Sequence, residues 1–252
     1  MKLKFLSANA IKIIAVLLML LDHVCLYFFP HIVIIRHVCR GGLILFAYFI
    51  AEGCKYTKNK LKRFLMIFIF GIIFQVVYCG VVFNFKSLDS LNIFITFSFS
   101  ILLIYCLQGI KKNIFVSNKK VVLYTFLFLL VLAISILASV FFDMEYEIFG
   151  ILAPVLISIP DLSGTKFSDS VKANFDTQYK RIIFTIISIL LLPLSVPTFG
   201  LYEWWSLLVI PILCCYNGQR GKLNLKHLFY VFYTLHFVVI YGVYMLVGGG
   251  VI

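Results

Sequence analysis

The chain has 252 residues, 63% of them hydrophobic and 13% charged, with a mean hydropathy of +1.07. Soluble domains carry roughly 45–50% apolar and about 25% charged residues, so this composition excludes a water-soluble enzyme, and its 27 Phe and 14 Tyr exclude disorder. Twenty-two Lys and Arg against 10 Asp and Glu leave a net charge of +12; membrane topology explains such an excess before nucleic acid does, and no nucleic-acid partner is expected.

A membrane-crossing helix needs about 20 mainly apolar residues. The first run covers 9–29. It is too long for a cleaved signal peptide, and it carries Asp22 and His23 and ends at Pro30 rather than at a small-residue cleavage site. Further runs cover 38–54, 64–83, 91–109, 121–142, 146–160, 182–197, 199–215 and 228–247; of these, 146–160 and 182–197 are short enough that one is expected to tilt or re-enter. The reading is all-α: a polytopic membrane helix bundle of about nine transmembrane helices, forming one integral-membrane unit over 1–252. A mixed-charge polar stretch at 161–181 is read as a cytoplasmic linker without assigned fold.

Most of the cations fall in alternate loops. Lys2 and Lys4 precede the first run, and Lys55, Lys58, Lys60, Lys62 and Arg63 follow the second. Lys111, Lys112, Lys119 and Lys120, then Lys166, Lys172, Lys180 and Arg181, then Arg220, Lys222 and Lys226 continue the pattern. The intervening loops hold Arg36, Arg40 and Lys86 beside Asp89, Asp143, Glu145 and Glu147. This bias places the N-terminus in the cytoplasm and the C-terminus outside, in the cell (cytoplasmic or inner) membrane. The seven cysteines are scattered without a CxxC spacing, so no metal is expected.

An ionisable side chain inside a span costs about 2.5–3.5 kcal/mol on insertion scales and is a site hypothesis by default. Lys12, Asp22, His23, Arg40, Glu52, Glu203 and His236 are such residues. Lys12 and His23 are separated by three turns and a rise of roughly 16 Å, on nearly the same helical face. That arrangement sets a cation near the cytoplasmic headgroups and a proton-handling imidazole deeper in. The competing reading has Lys12 snorkelling to lipid and both histidines bonding neighbouring helices. Arg40 and Glu52 are too far apart on one helix to pair, so each needs a partner elsewhere. Asp22 or Glu203 is the expected partner of Arg40.

An ordered set of stretches then stands out: Leu6-Ser-Ala-Asn-Ala-Ile-Lys12 leading to Leu21-Asp22-His23, Phe46-Ala-Tyr-Phe-Ile-Ala-Glu52-Gly53, Tyr56-Thr-Lys-Asn59, Gln75 with Tyr78, and Leu91-Asn92-Ile-Phe-Ile-Thr96. Tyr216-Asn217-Gly218-Gln-Arg220-Gly221 and Phe229-Tyr230-Val-Phe-Tyr233-Thr-Leu-His236 complete it. In these the chain resembles the TraX family, which includes the acetylase of conjugative pilin N-termini. It also resembles the wider class of transmembrane acyltransferases, many with a basic residue, ten intervening residues and a histidine in the first span. It departs from the family at Cys39-Arg40-Gly41-Gly42, where a proline-containing stretch is usual, and at Tyr233-Thr-Leu-His236, where Thr replaces proline.

The resemblance implies acetyl transfer from cytoplasmic acetyl-CoA, with no metal, to an amine such as a peptide or pilin N-terminus, or to an envelope hydroxyl. His23 is the expected base, positioned or charge-compensated by Asp22, with His236 as second base or oxyanion donor, and direct transfer and a ping-pong route through acyl-His both stay open. Lys12, Lys58, Lys60 and Arg220 are expected at the CoA phosphates, with Asn217-Gly218 offering backbone N–H groups. Arg40, Glu52 and Tyr233 are expected at the acceptor. The alternatives are a small-solute transporter or flippase, disfavoured by the lack of internal repeats, and a non-catalytic accessory protein of a pilus or peptide-export system.

Overall fold

The computed structural model describes residues 4–83, 90–195, 200–222 and 226–247. Lys2, Lys86 and Asp89 lie outside them. Among the described residues the chain is almost entirely helical: α1 (Ala8–Phe28), α2 (Val33–Cys39), α3 (Gly41–Tyr56), α4 (Lys60–Phe83), α5 (Ile93–Asn113), α6 (Asn118–Phe141), α7 (Glu147–Ile157), α8 (Asp169–Phe175), α9 (Gln178–Leu191), α10 (Ile210–Cys214) and α11 (Lys226–Leu246). Tight 3-10 turns precede α10 over Gly200–Val209. Two short strands, β1 (Ser90–Leu91) and β2 (Asp143–Met144), pair in parallel.

Helices α1, α4, α5 and α6, and the continuous α2–α3 unit Val33–Tyr56, are long and apolar enough to cross a membrane. The bent pair α8–α9 is a further candidate, while α7, Tyr202–Cys214 and Val231–Leu246 are apolar but shorter. The chain is thus a multi-pass membrane protein. Two expectations change. The second span starts earlier than 38, because α2 runs into α3 through Arg40 in helical geometry. The 199–215 run is not one α-helix but 3-10 turns leading into a five-residue helix.

Local chemistry sets the boundaries. Ser7 caps α1 by accepting from the Ala10 N–H at 3.3 Å. The next amides of α1 are satisfied tertiarily: Ala8 donates to the Gln219 carbonyl (2.8 Å) and Asn9 to that of Arg220 (3.1 Å). Gly42 lies against the Ala15 carbonyl and Leu18, allowing α3 to close on α1. Asn92 caps α5 and ties it to α4, donating to the Gly71 carbonyl (2.8 Å) and the Gln75 side chain (2.7 Å). Helix α5 is the most enclosed long helix and α6 the least, its flank open along most of its length.

The 161–181 stretch, left without a fold by the sequence, is folded against the helix ends. Asp161 is 4% exposed and accepts from Gln108 at 3.3 Å. Lys55 donates to Asp176 at 2.6 Å and lies 3.7 Å from Asp161. Arg181 lies 3.8 Å from Glu52 and 4.0 Å from Asp176. Lys111 donates to the carbonyls of Ser158, Ile159 and Asp161.

Removing one member of a buried ion pair leaves an uncompensated charge. Lys55→Met is therefore expected to cost about 3 kcal/mol, seen as a lower Tm of the detergent-solubilised protein; an unchanged Tm would show the network to be dispensable.

Candidate functional site

A cavity of about 1000 Å³ runs through the bundle, walled mainly by α1, α3, α4, α5 and α11. On α1 it is lined by Asn9, Lys12, Val16, Met19, His23 and Leu26. Their three- and four-residue spacing is one helical stripe. The Lys12–His23 spacing read from sequence is therefore the axis of the chamber, with cations at one end and acids at the other.

His23 lies along this stripe. Its Nδ1 is 2.8 Å from the Met19 carbonyl. A carbonyl only accepts, so Nδ1 carries a proton, and in the neutral ring Nε2 holds the lone pair. His236 on α11 repeats the arrangement, with Nδ1 at 3.1 Å from the Phe232 carbonyl. Its Nε2 is buried without a hydrogen-bond partner among the described residues. The two rings meet edge to face, 5.2 Å between centroids. His23 lines the cavity while His236 stands behind it, 5% exposed. Tyr233 lines the cavity one turn earlier and packs on Phe94 at 4.5 Å.

At the cationic end, the cavity is lined by Lys12, Arg63 and Arg220, with Glu52 and Tyr216. Tyr216 donates to Glu52 at 2.8 Å, and Arg181 lies on the same oxygen's other side at 3.8 Å. The 215–221 loop delivers Tyr216 and Arg220 here because its backbone docks on α1: Leu6 donates to the Cys215 carbonyl and Asn217 to that of Leu6. Gly221, at φ +93°, lies against Ser7 and Asn9, a conformation that favours glycine.

At the other end, Arg40 donates to the Tyr146 hydroxyl at 2.9 Å and sits 3.6 Å from Glu203. Glu203 is 4% exposed, and its Oε2 has no hydrogen-bond partner among the described residues. Tyr146 and Glu147 hold φ of 60° and 46°, a strained backbone that such residues keep only when the surroundings over-determine it. Here β2 and the Arg40–Tyr146 bond supply that constraint.

The structure thus brings Lys12, Asp22, His23, Arg40, Glu52, Arg220 and Tyr233 to one cavity. It corrects several assignments. Asp22 does not position His23; it pairs with Arg36 at 3.5 Å, and the Met19 carbonyl orients the imidazole. Of the two partners expected for Arg40, Glu203 is the one at ion-pair distance. Lys58 is exposed, Lys60 lies over the Tyr105 ring at 4.9 Å, and neither lines the cavity. The Asn217 N–H donates to the Leu6 carbonyl and its Oδ1 accepts from the Gln219 N–H, so its backbone N–H is not free for the anion. Sequence reasoning missed Arg63, Glu145 and Tyr146 as cavity residues. Only Gly53, beside which Arg63 packs, carried a sequence-level hint of a close approach.

The fold and the chamber define a polytopic helical membrane protein with an internal, histidine-lined cavity charged oppositely at its two ends. The family model described as TraX protein matches residues 7–244, and the chain belongs to the TraX family. Searches of curated proteins and of solved structures gave no significant match.

Glu145, in the loop before α7, also lines the cavity. The residue is exposed, and the like charges of Asp22 and Asp143 and the guanidinium of Arg40 act on its carboxyl in opposite directions.

Proposed function

We propose that this protein is an acyl-CoA-dependent transmembrane acyltransferase, transferring acetyl from the cytoplasmic face to an amine. The observation that carries this reading is the continuity of one cavity from a cationic end to His23, whose free lone pair lies on Nε2. The family's association with conjugation makes a pilin or peptide N-terminus the favoured acceptor, ahead of an envelope hydroxyl.

In this reading the apolar segments cross nine times, with the N-terminus in the cytoplasm, the C-terminus outside and the cationic end of the cavity facing the cytoplasm of the inner membrane. The donor's phosphates dock at that end and its thioester reaches toward His23. The acceptor nitrogen attacks the thioester carbonyl, and a C–N bond forms as the C–S bond breaks. His23 Nε2 takes the proton that the nitrogen loses and passes it to the departing thiolate, so free CoA leaves as the thiol. The Met19 carbonyl supports the imidazolium that exists between these steps. His236, behind His23, holds the ring in place, and Arg40 with Glu203 and Tyr146 forms the acceptor end.

Purified protein given labelled acetyl-CoA and a peptide with a free N-terminus is expected to label the peptide. Losing a general base costs about 10²–10⁴-fold in rate, so His23→Ala is expected to fall by that factor and His236→Ala by less. Full turnover in His23→Ala would remove the assigned base. Solute uptake by the same proteoliposomes without CoA, and no label transfer, would replace the enzyme with a transporter.

A further inference from the structure

Arg63 sits in the first turn of α4 and lines the cavity. Its guanidinium crosses α3 directly over Gly53: a Cβ there would run into it. The Arg63 Nη2 donates to the Ile50 carbonyl at 3.3 Å, while its Nε is buried with no hydrogen-bond partner among the described residues. Lys12 faces the same end of the chamber, over the Phe49 ring at 5.0 Å, and the charges acting on it are those of Glu52, Arg63 and Arg220.

Among the described residues neither Lys12 nor Arg63 forms an ion pair with a carboxylate. Glu52, the acid in this region, is engaged by Tyr216 and Arg181. Glu52 offsets Lys12 only from beyond ion-pair distance, and two part-buried cations held side by side are costly unless an anion joins them. A guanidinium offers two parallel N–H groups that match phosphate oxygens, and an ammonium adds a mobile point charge.

We propose that Lys12 and Arg63 form an internal phosphate-binding site, with Gly53 as the notch that admits the guanidinium. This deepens the donor reading above and rests on it for one point, that the phosphates are the pyrophosphate of CoA. The site lies inside the bundle, so it selects a ligand that threads into the chamber. The loop lysines, by contrast, draw any anion to the surface.

The test uses the full chain in neutral-lipid nanodiscs and measures binding of CoA, inorganic pyrophosphate and added phosphatidylglycerol. A charge-assisted contact is worth about 10- to 100-fold in affinity. Arg63→Gln and Lys12→Gln are each expected to weaken CoA by that factor, while exposed Lys119→Gln leaves it unchanged. Gly53→Ala keeps every charge but displaces the guanidinium and is expected to weaken CoA similarly. An unliganded Tm close to wild type identifies variants that fold, and Gly53→Ala serves where a charge variant does not.

Each outcome decides something. If wild type binds CoA and the folded variants bind it equally well, the site is wrong and the donor reading stands. If wild type binds pyrophosphate but not CoA, the site stands and the donor reading falls. Retention of phosphatidylglycerol that Arg63→Gln abolishes, with CoA unbound, keeps the site and makes its source lipid. If wild type binds none of the three probes, or Lys119→Gln weakens CoA as much as Arg63→Gln, the proposal is overturned.

Discussion

A charge removed from water must be given a partner, and the architecture turns on how this chain meets that requirement. Glu52 is 7% exposed on α3 and is held by the Tyr216 hydroxyl and the Arg181 guanidinium. Arg181 reaches Asp176, Asp176 reaches Lys55, and Lys55 returns to α3, beside Asp161. This closed circuit fastens the 161–181 stretch, α9 and the 215–221 loop to the end of α3. Without it the loop that caps α1 would lack its anchor at Tyr216, and the cationic end of the cavity would lose its wall.

The second dependence runs through the backbone. The first amides of α1 find acceptors in Gln219 and Arg220 rather than in side chains alone. The same contacts bring Arg220 to the cavity end that Lys12 lines. One loop thus both satisfies exposed helix N–H groups and concentrates positive charge at one end of the chamber. The other end works differently. There a strained turn at Tyr146 and Glu147 presents a hydroxyl to Arg40, so rigidity comes from β2 and a side-chain bond rather than from helix capping.

Between the ends, both imidazoles use the carbonyl four residues back to fix their tautomer. This solution is local to each helix and indifferent to neighbouring carboxylates, which is why an adjacent aspartate proved a poor guide. Neighbours on a helix point about 100° apart, and Asp22 turns to Arg36 instead.

The apolar composition and the spacing of Lys12, His23 and the later cations determined by themselves that the chain is helical and membrane-embedded and that Lys12 and His23 share one face of α1. Helical periodicity is local, so it survives in sequence. The Glu203 partner of Arg40 was also legible, because a buried cation with no partner on its own helix must find one on another. Lys12 and Arg220 were legible as chamber cations, but which cation between α3 and α4 joins them was not. Lys58, Lys60 and Arg63 look alike as loop charges, and only the approach of α4 to Gly53 carries Arg63 inward and leaves Lys58 exposed. The folding of 161–181 was equally hidden, since its order comes from ion pairs with residues more than a hundred positions away. Those pairings depend on how the helices pack, and tertiary structure alone decided them.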